Sequence, residues 1–478
     1  MTIWLKPNSR EQMDSVARDL YDRNSPNYRR WLTRSQIVER FAPTAEEAKT
    51  VQEFFESHNL RVVKVGRDNF FVRARGTVGD VQNAFHVQLN DYQVRAKVIR
   101  ANATDPYVEG AAGALVRAVS GLDSGEYEHP AMQRGAKFPA GKSGNMTTAA
   151  ASSSSFYSSD CFDGVVTQTY SRNNDVRLPI GTYTGNHLNL QSLTSAGCGY
   201  TPKPIQAYNL AGLYAEGYTG KGQTSSSSTG AGPQPFRKMR TSFLRSLDYH
   251  SLGPSNFSII YTPTASSCEA ADSVEINIDV EWAHAIAPGA KIDLVVPPSA
   301  SFQDVDQAVF YAVNDGLGNV LSGSYGSPEP ETPQSVLDTE NLTAKTAAIL
   351  GISTNFSSGD DGDFTPDGIP ATVSAPADSP WTTGVGEVTL ALNADNSIAW
   401  QSGWGNNESK LAFEGCVPDP PVDFGFIGGA GGGPSNCAVQ DSSGNWPVSR
   451  NLHFKGLSLE SVGRFPISHG WRIPTLEW

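Results

Sequence analysis

Lys291-Ile-Asp-Leu-Val-Val296, Ser301-Phe-Gln-Asp-Val-Asp-Gln-Ala-Val-Phe-Tyr-Ala-Val-Asn314, Asn319-Val-Leu-Ser-Gly-Ser-Tyr325, Gln334–Leu350 and Gly351–Ser358 follow one another along the chain. The first is a short apolar strand. Ser301 can cap a helix in which Val305, Ala308, Val309, Ala312 and Val313 recur at helical spacing. Asn319–Tyr325 reads as a strand, Gln334–Leu350 as a helix and Gly351–Ser358 as a further strand, with Phe257–Tyr261 another short strand upstream. Strand, helix, strand, helix, strand implies right-handed crossovers and a parallel sheet. In such α/β folds the active site sits beyond the C-terminal strand ends, and Asp360 stands just past one of them.

Upstream, the first 123 residues read as a compact α+β domain. Thr2–Lys6 is a strand. Thr44 starts a helix, with Glu47 three residues on completing a capping box, and Ala45, Ala48, Val51, Phe54 and Phe55 form its apolar stripe. Leu60–Val65 and Phe70–Arg75 read as a hairpin around Gly66–Asn69, and Thr77–Phe85 as a short helix. This alternation predicts a ferredoxin-like sandwich. Residues 124–200 read as loop-like, and Met146–Ser155 as a flexible, cleavable linker.

The 478 residues carry 36 Lys+Arg against 49 Asp+Glu, a net charge of −13. That balance argues against nucleic acid as a partner. No apolar run is long enough for a membrane span, and with 38% hydrophobic residues the chain is not disordered throughout. The charge is unevenly spread. Residues 1–123 hold 18 basic and 15 acidic groups, net +3, whereas 254–449 hold 3 basic and 25 acidic groups, net −22. Cys161, Cys198, Cys268, Cys416 and Cys437 show no zinc-type spacing; they read as disulfide partners or as unpaired structural thiols. Met1–Met13 shows no signal peptide.

Asp272–Ala287 fits two patterns. Val274, Ile276, Ile278 and Val280 alternate as in a strand, while Trp282–Ala287 favours a helix ended by Pro288-Gly289. On a helix, Glu275 and Asp279 share one face. They are then either a solvated acidic face or, in a cleft, a pair of which one member holds a proton in acid. The acidic glycine-rich loop Ser358-Gly-Asp360-Asp-Gly-Asp363 reads as a polar turn, a calcium loop without EF-hand spacing, or the seat of a catalytic carboxyl. Gly428–Gly433 reads as a flexible loop without the lysine of a phosphate cradle. His284, among alanines, reads as a packed core histidine.

Taken together, these segments resemble the sedolisin (serine-carboxyl) peptidases of the kumamolisin type, precursors with an activation prosegment. The resemblance is carried by Ser25-Pro-Asn-Tyr-Arg-Arg-Trp-Leu-Thr33, Val165–Gly222 with Pro204-Ile-Gln-Ala-Tyr-Asn209, Glu275–Gly289, Ser322-Gly-Ser-Tyr-Gly326, Ser358-Gly-Asp360 and Gly428–Asn436. It implies a subtilisin-like parallel-sheet catalytic domain, C-terminally incomplete, after an α+β ferredoxin-like prodomain. The implied divisions are prosegment 1–123, linker and start of the mature region 124–200, catalytic domain 201–449 and an atypical tail 450–478.

The resemblance further implies acid endopeptidase chemistry: Glu275 as general base, Asp279 orienting it, Asp360 as a protonated oxyanion donor, and Ser324, Tyr325 and Gly326 lining the substrate. The implied partners are protein or peptide substrates and the chain's own prosegment, with no nucleic acid or membrane, in an extracellular monomer. The +3 prosegment would complement the −22 block electrostatically.

The sequence departs from the family in four ways. Asp361 stands where serine is usual. The Gly-Thr-Ser nucleophile motif is missing, so Ser435 is not promoted to that role. The calcium loop is missing, so no cofactor is expected. Residues 223–253 and 450–478 fit no family pattern, and a wrong reading frame or a retained intron would account for both; a lost signal peptide would account for the start at Met1. The chain is accordingly expected to be inactive as written. The alternative is a non-catalytic scaffold used in binding or inhibition.

Overall fold

The computed structural model describes residues 1–94, 97–124, 129–130, 166–171, 179–185, 208–228, 255–262, 273–392, 397–409 and 423–435. All five cysteines, most of segment 223–253, the 146–155 linker and the 450–478 tail lie outside them.

The N-terminal part is built from β1 (Thr2–Leu5), α1 (Arg10–Tyr21), α2 (Arg34–Phe41), α3 (Ala45–Ser57), β2 (Arg61–Val65), β3 (Phe71–Arg75), α4 (Val78–Phe85), the hairpin β4 (Leu89–Val94) and β5 (Lys97–Asn102), α5 (Gly110–Leu115) and β6 (Val116–Ser120). Its sheet runs β2-β3-β1-β6, antiparallel throughout. This is the ferredoxin-like order, with α3 and α4 as the two crossovers. The capping box at Thr44 forms as read, the Glu47 amide donating to Thr44 Oγ1 at 3.1 Å and the Thr44 amide to Glu47 Oε2 at 2.6 Å. Of the predicted α3 stripe, Ala48, Val51, Phe54 and Phe55 are buried and Ala45 is exposed. Helices α1 and α2 carry no signal that the sequence reading used. Thr33 caps α2 with a second box through Gln36.

The stretch read as loop-like contains β7 (His129–Pro130), β8 (Val166–Ser171) and β9 (Pro179–Gly185), the last two paired as a hairpin. The alternating Val166-Thr-Gln-Thr-Tyr-Ser171 is the β signal that the Ser/Thr-rich surroundings masked.

The C-terminal part contains α6 (Leu210–Ala215), β10 (Thr224–Ser228), β11 (Phe257–Tyr261), α7 (Ser273–Ile286), β12 (Lys291–Val296), α8 (Phe302–Asn314), β13 (Val320–Gly323), β14 (Tyr325–Pro328), α9 (Gln334–Leu350), β15 (Ser353–Ser357), β16 (Ser374–Ala375) and β17 (Thr383–Val385). The hairpins of β18 (Val388–Leu392) with β19 (Ile398–Gly403) and β20 (Gly405–Ser409) with β21 (Asp423–Gly429) complete it. A six-stranded sheet runs β11-β12-β10-β13-β15-β17 with every pair parallel. The protein is a mixed α/β fold with a parallel sheet preceded by an α+β domain.

Two details differ from the sequence reading. The run Thr224–Ser228, where the buried first strand looked lost, is the central strand of this sheet, with Ser226 and Ser227 buried. Its ladder bonds need only backbone, and serines fit between close neighbours. Asn319–Tyr325 is also not one strand: β13 ends at Gly323, and β14 starts at Tyr325 in a separate sheet with order β16-β14-β7.

Successive side chains of β12 point to opposite faces. Ile292, Leu294 and Val296 pack with Ile276 and Val280 of α7, and Val295 packs with Val305 and Val309 of α8. The strand-or-helix alternative at 272–287 is settled by burial. Ile276, Val280 and His284, four apart, are buried, whereas Ile278 is exposed. His284 is a packed core histidine, as read.

The two parts share a core. Trp4, Met13, Leu20, Phe41 and Phe70 pack with Phe310 of α8 and with Leu342 and Ile349 of α9. Trp4 meets Phe310 edge-on at 5.3 Å. Charge follows the predicted sense at the rim. Arg73 bridges Asp304 at 2.8 Å, Arg34 bridges Asp315 at 3.6 Å, and Arg117 donates to the Asp338 carbonyl at 2.9 Å. Arg67 also pairs with Asp315. One pair runs the other way: Lys345 of α9 reaches Asp14 of α1 in a buried contact.

Candidate active site

In the order β11-β12-β10-β13-β15-β17, the first strand in sequence lies in the middle, so successive connections leave it in opposite directions. Ligand crevices of parallel sheets form beyond the carboxyl ends at such a reversal. Asp279 sits there. Its Oδ1 accepts from Ser324 Oγ at 2.6 Å, just past β13, and its Oδ2 from Ser227 Oγ at 3.5 Å, near the end of β10. Burial pushes the Asp279 carboxyl up to about 6, against the two serine hydrogen bonds, which pull it down. Glu275, one turn earlier on α7, shares that face. Glu281, pushed up to about 7 by burial, lies two residues on and points to another face.

The loop after β15 carries Asp360. Its carbonyl accepts from the Gly429 amide at 2.7 Å, and the Gly359 carbonyl accepts from the Gly431 amide at 2.8 Å. The glycine-rich segment 428–433 is therefore a backbone brace for the acidic loop, where the sequence reading had a flexible loop. A Cβ on Gly431 would stand 1.8 Å from the Ser358 carbonyl oxygen, so only glycine permits the approach. Ser435, at the end of this brace, donates to Glu329 at 3.2 Å.

Glu387, which the sequence reading missed, completes the group. Its carboxyl is pushed up to about 7, first by burial, then by the charge of Asp360 and a hydrogen bond to it, and by the charge of Glu275. Carboxyls from α7, the β15 loop and the segment after β17 therefore converge. The available signal was a lone acid two residues past a strand end. Ser227 was missed as well, inside a serine run that looked like a break in the pattern. Among the described residues no group of three or more His, Cys, Asp or Glu could hold a metal ion.

Of the residues expected to line the substrate, Ser324 holds Asp279. Tyr325 has its ring buried, 5.4 Å from Phe356 and edge-on to it, so its main chain is what β14 offers. Gly326 lies so close to β16 that a Cβ would meet the Ala375 carbonyl at 2.5 Å. The other edge of β14 pairs antiparallel with the chain's own His129–Pro130, Tyr325 opposite Pro130 and Gly326 opposite His129.

Residues 1–124 match the family described as Pro-kumamolisin, activation domain. Sedolisin from Pseudomonas sp. (strain 101) is 23% identical over 432 residues, covering 87% of this chain and 64% of the relative. Kumamolisin from Bacillus sp. (strain MN-32) is 31% identical over 136 residues, covering 27% of this chain and 24% of the relative. The chain thus spans less than two thirds of the length of these curated relatives. A solved structure of Pseudomonas sedolisin, a serine-carboxyl proteinase complexed with pseudo-iodotyrostatin, aligns at 24% identity and a TM-score of 0.38, over 45% of this chain and 58% of that one. Residues 1–124 thus match a Pro-kumamolisin activation domain, and the chain is similar to sedolisin along most of its length.

Proposed function

We propose that the chain descends from an acid-acting serine-type endopeptidase in which Glu275 is the general base, Asp279 orients it and Asp360 donates a proton to the oxyanion. In this reading a serine attacks the peptide carbonyl, Glu275 takes its proton, and the tetrahedral oxyanion is stabilised by the neutral Asp360 carboxyl. A carboxyl donates a hydrogen bond only when protonated, so the donor works in acid and fails as pH rises. A carboxylate base suits the same range, where an unperturbed histidine is already charged.

The observation that carries the reading is the Ser324–Asp279 hydrogen bond, which ties the helix of the base to the head of β14. Substrate would add as a strand along Tyr325–Gly326. The chain's own residues 129–130 fill that edge, which supports the prosegment and its linker as the first occupant. No Gly-Thr-Ser occurs in the 478 residues. The polypeptide as written is therefore proposed to be silent, a secreted precursor by descent, and monomeric.

The test is to resequence the coding DNA across 223–253 and beyond 449 and to express whatever chain carries a Gly-Thr-Ser. Peptide hydrolysis near pH 4 after prosegment removal is expected, with Glu275→Gln and Asp360→Asn each abolishing it. Undiminished turnover in either variant overturns the assignment. Glu275-dependent turnover by the 478-residue chain itself overturns its silence. A non-catalytic scaffold role gains ground if the DNA encodes both segments as written.

A further inference from the structure

β15 and β17 run parallel with Ser357 opposite Val385, and the Ser358 amide donates to the Val385 carbonyl at 2.8 Å. The two chains therefore leave the sheet side by side. Glu387 follows two residues after Val385, and Asp360 three after Ser357. Both backbones are then pinned. The Gly429 amide holds the Asp360 carbonyl at 2.7 Å, and the Trp404 amide holds the Glu387 carbonyl at 3.0 Å. The pins are themselves joined, since the Ala430 amide donates to the Trp404 carbonyl at 2.9 Å. The Glu387 carboxyl lies within hydrogen-bonding reach of Asp360. One Glu387 oxygen, Oε2, is enclosed and makes no hydrogen bond of its own.

We propose that Glu387 and Asp360 form a carboxyl pair that holds one proton between them, with Glu387 the positioning residue of the oxyanion donor. Its role in catalysis rests on the reading of Asp360 given above; the shared proton does not. An enclosed oxygen without a partner is costly on a carboxylate and far cheaper as the carbonyl of a neutral acid. Two carboxyls in contact cannot both ionise at ordinary cost, so the pair keeps one proton and a single negative charge where two lone acids would carry two. The charged groups acting on Glu387 are Asp360 from the β15 loop and Glu275 from the first turn of α7, and both oppose its ionisation. The consequence is a site that keeps one proton closer to neutral pH than a lone aspartic acid would.

The test is pH-difference infrared spectroscopy of the full chain, counting protonated carboxyls lost between pH 5 and 8. Asp279→Asn and Glu281→Gln in the background remove two described carboxyls that burial raises into this range. In that background one proton-equivalent is expected, and Glu387→Gln should abolish it while leaving the far-ultraviolet circular dichroism unchanged. Asp360→Asn should move it toward the ordinary glutamate range. No titrating carboxyl in the background, or a midpoint indifferent to Asp360→Asn, overturns the pair, and the first result needs no variant at the pair itself. A pair confirmed in the infrared alongside undiminished turnover in Asp360→Asn of an active chain would sink the catalytic reading alone. Lost turnover with no shared proton would sink the pair alone.

Discussion

Replacing Lys345 with methionine would strand Asp14 inside the seam between prosegment and helix α9. The two side chains of this pair are only 9% and 10% exposed, so neither can rehydrate without opening the seam. Removing one partner of a buried ion pair costs about 3–5 kcal/mol, because the other charge stays desolvated. Arg117 and Arg10 act on Lys345 through their charge, and Arg117 also feels Asp14, so part of the loss is absorbed and the lower half of that range is expected. Converting both members, Lys345→Met with Asp14→Leu, removes the desolvated charge altogether. It should restore stability to near the parent or above it, since apolar replacements of buried pairs are often neutral or favourable.

Urea unfolding of the full chain at pH 7, followed by tryptophan fluorescence, reads the difference. Trp4 is buried in the seam core, and Trp381 lies 5.9 Å from the Lys345 ammonium, so both report on it. With a urea slope of about 2–3 kcal/mol/M, a loss of about 3–4 kcal/mol lowers the midpoint of the seam transition by about 1–2 M. A single variant shifted by less than about 0.3 M would show that the pair is not desolvated. A double variant as weak as the single one would show that shape, and not charge, holds the seam.

Asp279 has its carboxyl raised by burial to about 6, above the ordinary aspartate value, so the fold favours its neutral form. Its contribution is therefore present in acid and is lost as pH rises from about 4 to 6; a shift of about two units corresponds to about 2–3 kcal/mol. Asp279→Asn keeps an acceptor for Ser324 and should flatten this part of the stability–pH profile by denaturant titration at pH 4 and 7; an unchanged slope refutes it. Gly431→Ala drives a Cβ to within 1.8 Å of the Ser358 carbonyl and should cost about 1–3 kcal/mol, with faster hydrogen exchange at the Gly429 and Gly431 amides. Parent-like exchange at both amides would mean that the segment does not brace the acidic loop.

The ferredoxin-like half was legible wherever one local signal sufficed, as at the Thr44 box or in the turn between β2 and β3. Helix α1 was not, because its buried face of Met13, Ala17 and Leu20 is covered partly by residues some 300 positions away in α8 and α9. Periodicity describes one segment and cannot say what covers it. The same limit hid β10: serines spell a loop until two neighbouring strands supply the ladder. Glu275, Asp279 and Asp360 could be picked out because they sit in dense local patterns. Glu387 could not, because its partner comes from an adjacent strand end through register, a long-range property.

Charge gives the last link between these parts. Among the described residues the acidic block 254–449 holds two cations, and both are committed, Lys291 to Asp293 at 2.9 Å and Lys345 to Asp14. The arginines that the prosegment lends meet Asp304, Asp315 and Asp338 on or beside α8 and α9. The causes that raise Asp279, Glu281 and Glu387 are burial and neighbouring carboxylates, and none of them is a cation. Protons are then the counter-charge available to these carboxyls, and they arrive as pH falls. A chain built this way loads its carboxyl site as pH falls, while the buried aromatic contact of Trp4 with Phe310 holds the seam by packing that carries no charge.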